Sequence, residues 1–281
     1  MSSKPASYDD VRSLYASMMV AASGSTDPRL QRIIEAVPRE AFLPPGPWTI
    51  VVGNRSVRTP TADPIHLYQD VLVALDSSRA INNGEPFLHA AWIGAAAPKS
   101  GELVTHIGAG AGYYSAILSM LVLPTGRVVA FEIHEKLAED ARRNLSPFQN
   151  VIVENQNAVE TSIPASDVIY VNAAVVAPPK HWLSSLLIGG RMIFPWRPTR
   201  NIGLATMITR TRLGFEVKPL MHSWFIACVG ASTASPGSVC PDYNGAWRSQ
   251  SLRLTSEQAP DASATAIYAD VWFSDAPLPT R

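Results

Sequence analysis

Cysteine is nearly absent from this chain of 281 residues, and the two present, Cys228 and Cys240, make neither a disulfide framework nor a metal cluster. Both are expected as free thiols, as suits a reducing compartment, and no metal site is expected. Charge is equally scarce: charged residues are 16% of the chain, and 23 Lys+Arg balance 23 Asp+Glu. That balance removes the electrostatic drive toward nucleic acid, and so little charge excludes a disordered polyelectrolyte. No apolar run approaches the roughly 18 residues of a membrane span, so no membrane partner is expected. The N-terminus meets Asp9 and Asp10 before any apolar stretch and makes a poor signal peptide. What the chain does have is 47% hydrophobic residues, enough for one large core or two modest ones. The expectation is a soluble, cytoplasmic protein of enzyme size.

Three stretches follow one another. Residues 1–85 read as a helical N-terminal region capping the site. Val11, Leu14, Tyr15, Met18, Met19 and Ala22 fall at helical spacing behind a Ser7/Asp10 capping box. A second helix opens at Asp27-Pro28 and buries Leu30, Ile33, Ile34 and Val37. Short strands are expected at 49–52 and 71–75. Residues 86–230 alternate helix and strand: helix 87–97, strand 103–107, helix 113–122, strand 127–131, helix 136–145, strands 151–154 and 167–171, helix 181–187 and strand 192–194. Apolar strands separated by single helices indicate an α/β, doubly wound parallel sheet. Strands at 204–209 and 217–229, joined at Gly214, suggest an antiparallel hairpin. A Gly/Ser/Pro-rich loop over 230–245 follows, and a last strand is expected at 268–273. Residues 231–281 are taken as a C-terminal extension packed on the same domain.

The strongest chemical signal is Gly108-Ala109-Gly110-Ala111-Gly112, which follows strand 103–107 and opens a helix at Tyr113. Glycines at alternate positions let backbone turn sharply and approach a ligand, and the next helix directs its free N–H groups into the same space. Glu132, at the end of the following strand, is about 20 residues beyond the loop, where a carboxylate can accept from both hydroxyls of an adenosine ribose. A nucleotide-type cofactor follows, NAD or S-adenosylmethionine. The loop is G-x-G-x-G and lacks the dinucleotide spacing G-x-G-x-x-G, and no second nucleotide-binding half is evident. Both facts favour S-adenosyl-L-methionine. His106 at the strand end is either a satisfied buried imidazole or a contact to the methionine moiety. Tyr113 and Tyr114 either pack in the core or lie along the cofactor. His89 is either a helix-surface histidine or a substrate or catalytic group.

These residues also carry a resemblance. Val37-Pro38-Arg39-Glu40-Ala41-Phe42-Leu43-Pro44, Tyr68-Gln69-Asp70, His106-Ile107-Gly108-Ala109-Gly110-Ala111-Gly112-Tyr113-Tyr114, Gly189-Gly190-Arg191 and Pro195 resemble the protein-L-isoaspartate O-methyltransferase family in order and spacing. The resemblance covers roughly residues 10–230 and implies a Rossmann-like methyltransferase sheet with a helical N-terminal extension and antiparallel C-terminal strands. It implies cofactor contacts at His106, Ile107, Gly108, Ala109, Gly110, Gly112, Tyr113, Tyr114, Glu132, Ile133, Asn157, Ala158 and Asn172. Three departures stand out: His106 replaces an acid, Asn157-Ala158 replace Asp-Gly, and Asn82-Asn83-Gly84-Glu85-Pro86 replace Thr-Ile-Ser-x-Pro. An Asn157 carbonyl still accepts a hydrogen bond from an adenine amino group. The third change removes a hydroxyl at Gly84 from the stretch that helps hold an isoaspartyl substrate, so the acceptor is expected to be altered.

The reading that results is an S-adenosylmethionine-dependent O-methyltransferase acting on a carboxylate of a small molecule or peptide. Asn82, Asn83, Gly84, Pro86 and His89 are its acceptor contacts. A carboxylate is already ionised at neutral pH and needs no base; for a hydroxyl or amine acceptor, His89 is the first candidate base. Two alternatives are an NAD-dependent oxidoreductase and a protein that binds the cofactor without turnover.

Overall fold

The computed structural model describes residues 7–53 and 55–279; residues 1–5, at the head of the stretch read above as a poor signal peptide, lie outside them. Two compact units alternate along the chain. One comprises Met1–Gly101, Ala109–Arg127 and His134–Val153, the other Glu102–Gly108, Val128–Ile133 and Glu154–Arg281.

In the first unit, α1 (Tyr8–Ser23) begins at the expected capping box: the Ser7 hydroxyl accepts the Asp10 N–H at 3.2 Å, and the Ser7 N–H donates to the Asp10 carboxylate at 2.9 Å. Its buried residues are Tyr15, Ala16 and Met19. Leu14 and Met18, expected on the buried face, are 63% and 56% exposed. The stripe turns toward Ala16 because α1 packs on the alanine-rich α3, and small side chains allow the close approach. α2 (Pro28–Ala36) is capped by Asp27, which accepts the Arg29 N–H, and buries Leu30, Ile33 and Ile34. A four-stranded antiparallel sheet follows where two strands were expected. Its order is β2-β1-β3-β4, with β1 (Thr49–Val52), β2 (Arg55–Arg58), β3 (Leu72–Asp76) and β4 (Ile81–Asn82). Every residue of β2 is exposed, so no apolar alternation marks it in the sequence.

Arg39 is buried, and its guanidinium donates to the carbonyls of Leu67, Gln69 and Val71, clamping the segment that leads into β3. Asp70, within that segment, accepts the Phe87 N–H at 2.9 Å and so caps α3 (Pro86–Ala96) from a distance. α4 (Tyr113–Leu121) and α5 (Glu135–Asn144) complete the unit's helices.

A ten-stranded sheet draws most of its strands from the second unit, with Arg127 and Val151–Val153 belonging to the first. Its strands are β5 (Leu103–Ile107), β6 (Arg127–Phe131), β7 (Val151–Glu154), β8 (Ser166–Val171), β9 (Leu186–Thr199), β10 (Ile202–Thr211), β11 (Gly214–His222), β12 (Ser251–Leu254), β13 (Ala264–Ile267) and β14 (Val271–Ser274). The order is β13-β14-β12-β11-β10-β9-β8-β5-β6-β7. β5, β8 and β9 pair in parallel, and from β9 outward every pairing is antiparallel. The chain steps from β5 to β6 and β7 on one side, then returns to β8 on the other. The strand order therefore reverses at β5, and ligands of such sheets bind beyond the carboxyl ends of the strands at that point.

Several boundaries differ from expectation. The helix expected to run to residue 187 is α6 (Lys180–Ser185), and Leu186 already belongs to β9, a strand of 14 residues where three were expected. Gly189 and Gly190, read as a connection, lie inside that strand; Gly189 has φ +82°, and a Cβ on Gly190 would fall 2.8 Å from the Leu187 carbonyl oxygen. The strand expected to reach residue 229 ends at His222. The loop expected over 230–245 gives way to α7 (Tyr243–Arg248), capped by Asp242. Of the strand expected at 268–273, residues 268–270 are a turn, with the Tyr268 N–H donating to the Val271 carbonyl, and the rest belongs to β14; β13 precedes the expected span. Beneath this sheet Trp182, Trp196, Phe194 and Phe273 are fully buried, with Trp196 stacked on Phe273 at 4.1 Å.

Candidate functional site

Parallel strands end in carbonyls and N–H groups that the next segment must satisfy, and in the second unit this fixes the first group of candidate residues. The Gly108 N–H donates to the Phe131 carbonyl at 2.9 Å, and the Asn172 N–H to the Ile107 carbonyl at 2.8 Å. Gly108 adopts φ +78°, and a Cβ there would lie 3.4 Å from the Asn172 backbone. Ile107 is buried opposite Val171. His106 is fully buried, and burial pushes its imidazole down to about 3. The ring is therefore neutral at physiological pH, with Nε2 2.8 Å from Asn172 Nδ2. The Oδ1 of Asn172 is buried and has no hydrogen-bond partner.

One strand further, the Glu132 N–H donates to the Glu154 carbonyl at 3.0 Å, and Asn155 Nδ2 donates to the carbonyls of Glu132 and Ile133 at 2.9 and 3.2 Å. The Glu132 side chain is buried while Ile133 is exposed. Asn157 Oδ1 accepts the Val159 N–H at 3.0 Å, and its carbonyl accepts from Glu160 and Thr161. Ala158 is buried, and its carbonyl accepts from both His181 and Trp182 at 2.8 and 2.9 Å. Those two donors hold the turn at Ala158 and escaped the sequence reading, since nothing in a helix-borne His-Trp pair marks a distant carbonyl as its target.

The peptide bond between Gly108 and Ala109 carries the glycine loop into the first unit. There Gly110 and Gly112 have φ +56° and +97°, and a Cβ on Gly112 would fall 2.7 Å from Leu145. The Gly112 N–H donates to the Ala109 carbonyl, and Asn144 Nδ2 donates to the Ala111 carbonyl. All three glycines of the loop, Gly108, Gly110 and Gly112, take left-handed φ that residues with side chains rarely adopt. Tyr113 and Tyr114 are both buried, and burial raises both hydroxyls well above the usual tyrosine range, so they stay protonated.

The acceptor candidates lie in the same unit. Asn82 Oδ1 accepts the Gly84 N–H at 3.0 Å. Asn83 pairs twice with Val73: its Oδ1 accepts the Val73 N–H at 2.8 Å, and its N–H donates to the Val73 carbonyl at 2.9 Å. Both amide oxygens are therefore engaged in shaping the segment. Pro86 is buried at the start of α3. His89 is no helix-surface histidine, the first of its two readings: it is 1% exposed and stacks on Tyr114 at 3.6 Å. The structure thus brings His106 together with Asn172 and Gly108, and Gly84 together with His89 and Tyr114. Among the described residues no group of three or more His, Cys, Asp or Glu is placed to hold a metal ion, and no helix is long and apolar enough to cross a membrane. Cys228 is buried, with its thiol pushed up to about 11 by burial, and Cys240 is exposed; both are free.

The residues fit a nucleoside-type cofactor. Within the second unit the buried Glu132 stands at a strand end and the orphaned Asn172 Oδ1 is an acceptor where the strand order reverses; within the first, Gly110 and Gly112 keep left-handed backbone. Comparison with known proteins agrees. The family model described as protein-L-isoaspartate(D-aspartate) O-methyltransferase matches residues 19–233. A protein-L-isoaspartate O-methyltransferase of Ignicoccus hospitalis is 30% identical over 166 residues, 58% of this chain and 78% of that protein. A solved protein-L-isoaspartate O-methyltransferase superposes with a TM-score of 0.64 at 23% identity, over 76% of this chain and 65% of that one. A Plasmodium falciparum structure described as a putative enzyme of the same name, in complex with S-adenosyl-L-homocysteine, superposes with a TM-score of 0.62 at 16% identity, over 77% of this chain and 97% of that one. The shared fold is that of Rossmann-like methyltransferases.

Proposed function

The chain belongs to the protein-L-isoaspartate(D-aspartate) O-methyltransferase family of S-adenosylmethionine-dependent enzymes, and we propose that it methylates a carboxylate of a peptide or small molecule other than, or broader than, the isoaspartyl group. Family membership leaves the nicotinamide reading without support. The observation that carries the altered acceptor is Gly84: at φ +78° its backbone adopts a conformation that side chains rarely take, and buried side chains occupy the space a Cβ would need. This acceptor segment therefore presents backbone and amides where the resembling family has a hydroxyl.

When bound, S-adenosylmethionine supplies an electrophilic sulfonium methyl, transferred in line to the nucleophile. The protein's own residues bind and orient. Glu132 would accept from the ribose hydroxyls, and Gly108 and Asn172 would hold the methionine end. Asn157 and Ala158, their turn fixed by His181 and Trp182, would hold the adenine. Asn82, Asn83, Gly84, Pro86 and His89 shape the acceptor side. No residue has to remove a proton, because a carboxylate is ionised at neutral pH; alignment in a site screened from water supplies the rate.

The test is methyl transfer from labelled S-adenosylmethionine to an isoaspartyl peptide and to a panel of small carboxylic acids, with alkaline release of methanol reporting an ester. A base-labile product formed faster on a non-isoaspartyl carboxylate supports the proposal. Transfer confined to isoaspartyl peptides overturns the altered acceptor. Tight S-adenosylhomocysteine binding with no transfer to any carboxylate overturns the enzymatic reading in favour of a cofactor-binding protein.

A further inference from the structure

We propose that His89 is a positioning residue that locks the acceptor segment to the first turn of α4; the inference rests on the reading of residues 82–86 as acceptor contacts. Three contacts meet at one point. The His89 ring lies parallel to the Tyr114 ring, with centroids 3.6 Å apart and an interplanar angle of 16°. The Tyr114 hydroxyl donates to the Gly84 carbonyl at 3.3 Å. The edge of His89 abuts Gly84 so closely that a Cβ there would meet Nε2 head-on, lie 2.7 Å from Cδ2, and come within 3.0 Å of the Tyr114 ring. Gly84 is thus held both by the imidazole edge and by a tyrosine hydroxyl that burial keeps protonated.

Tyr114 is the second residue of α4, directly after Gly112 and Tyr113. His89 sits one turn into α3, the helix that Pro86 opens. A stacked pair between the two helices therefore fixes residues 82–86 against the helix start that follows the glycine loop. Without the ring, Gly84 regains its own conformational freedom, and glycine has more of it than any other residue. The consequence is specific: His89 sets how the acceptor is placed while leaving cofactor affinity alone. A side chain at 84 and a ring at 89 exclude one another.

A double-mutant cycle on the full chain tests this, using Gly84→Ala, His89→Ala and the double variant, with S-adenosylhomocysteine binding by calorimetry and acceptor kinetics on the best carboxylate. Backbone strain at φ +78° burdens Gly84→Ala in both backgrounds and cancels; the collision with the ring exists only when His89 is present. The loss of kcat/KM on Gly84→Ala is expected to shrink by about tenfold or more when His89 is already alanine. His89→Ala alone should raise the acceptor KM severalfold with S-adenosylhomocysteine affinity within about twofold of the unaltered protein. Equal losses in both backgrounds overturn the inference, and so does a His89→Ala variant that loses cofactor affinity in step with acceptor binding. If Gly84→Ala does not fold, Tyr114→Phe decides: it keeps the stack, removes the hydrogen bond to Gly84, and should raise acceptor KM; unchanged KM overturns the lock. If no carboxylate is methylated by the unaltered protein, the proposed function fails first, and the cycle read by Gly84→Ala melting temperatures still reports whether the ring and residue 84 are coupled.

Discussion

Glu132 and His106 sit one strand apart, both buried, and their chemistry separates cofactor binding from stability. Glu132 is the proposed ribose acceptor, and two charge-assisted hydrogen bonds of about 1.5–3 kcal/mol each are at stake before solvent compensation. Glu132→Ala should lower S-adenosylhomocysteine affinity by about tenfold or more, and an unchanged dissociation constant in calorimetry would remove the residue from the site. His106 answers to pH. Its folded value of about 3 lies below the ordinary 6.5, so between those values the unfolded chain binds the extra proton. The stability that follows is complete above pH 6.5 and drains away as pH falls toward 3. Lowering pH from 7 to 5 should cost about 2 kcal/mol through this one group. Urea titrations of the unaltered protein and of His106→Gln should show a flatter pH dependence in the variant, whatever its absolute stability; parallel slopes would mean the imidazole titrates normally. The left-handed turns of the glycine loop were legible in the sequence because only glycine takes that backbone readily. The burial of His89 was not, because its partner Tyr114 is 25 positions away and no periodicity links a ring to a glycine backbone.

Among the elements, α3 depends on a residue outside it. Glu85 at its N-cap makes no side-chain hydrogen bond, and Asp70 supplies the acceptor for Phe87 from a segment that Arg39 clamps. Asp70→Ala should therefore cost about 1 kcal/mol, in the range of lost caps, and should also raise acceptor KM because Pro86 is fixed by the same helix start. Asp70→Asn keeps an oxygen acceptor and should recover most of the loss. Denaturation midpoints equal in the alanine variant and the unaltered protein would show that the cap carries no weight. The same scale explains where element boundaries were misread. Residues 186–191 have the Leu-Leu-Ile and Gly-Gly pattern of a helix and its stop, yet they form the start of β9. Parallel pairing with Ser166–Val171 decides the matter, and a pairing between distant segments leaves no local trace. By contrast, α1, α2 and β5 carry caps, proline or continuous apolar runs in their own residues, and their bounds agree closely with expectation.

For the chain as a whole, the decisive question is what the residues beyond 233 contribute, since the family match ends there. They do not form an appendage. β12 pairs with β11, β14 with β12 and β13 with β14, so three strands prolong the antiparallel half of the sheet. Leu252, Val271, Trp272 and Phe273 are buried, and Phe273 stacks on Trp196 of β9, well inside the family-matched portion. Each such side chain is worth about 1.5–3 kcal/mol on burial. Those four alone approach about 10 kcal/mol, the size of a typical domain's entire stability. Removal would also bare the β11 edge, whose unpaired N–H and C=O groups invite association with other chains. A chain ending at residue 233 is therefore expected to aggregate or to unfold without a cooperative transition, even though every proposed cofactor and acceptor residue is still present. The discriminating variant is Phe273→Ala in the full chain: it should lower stability by about 3–5 kcal/mol through the lost packing on Trp196, with S-adenosylhomocysteine affinity retained under conditions where the protein stays folded. A truncated chain that melts cooperatively at the temperature of the intact one would show that the family-matched portion closes its own core and that the three added strands are dispensable to it.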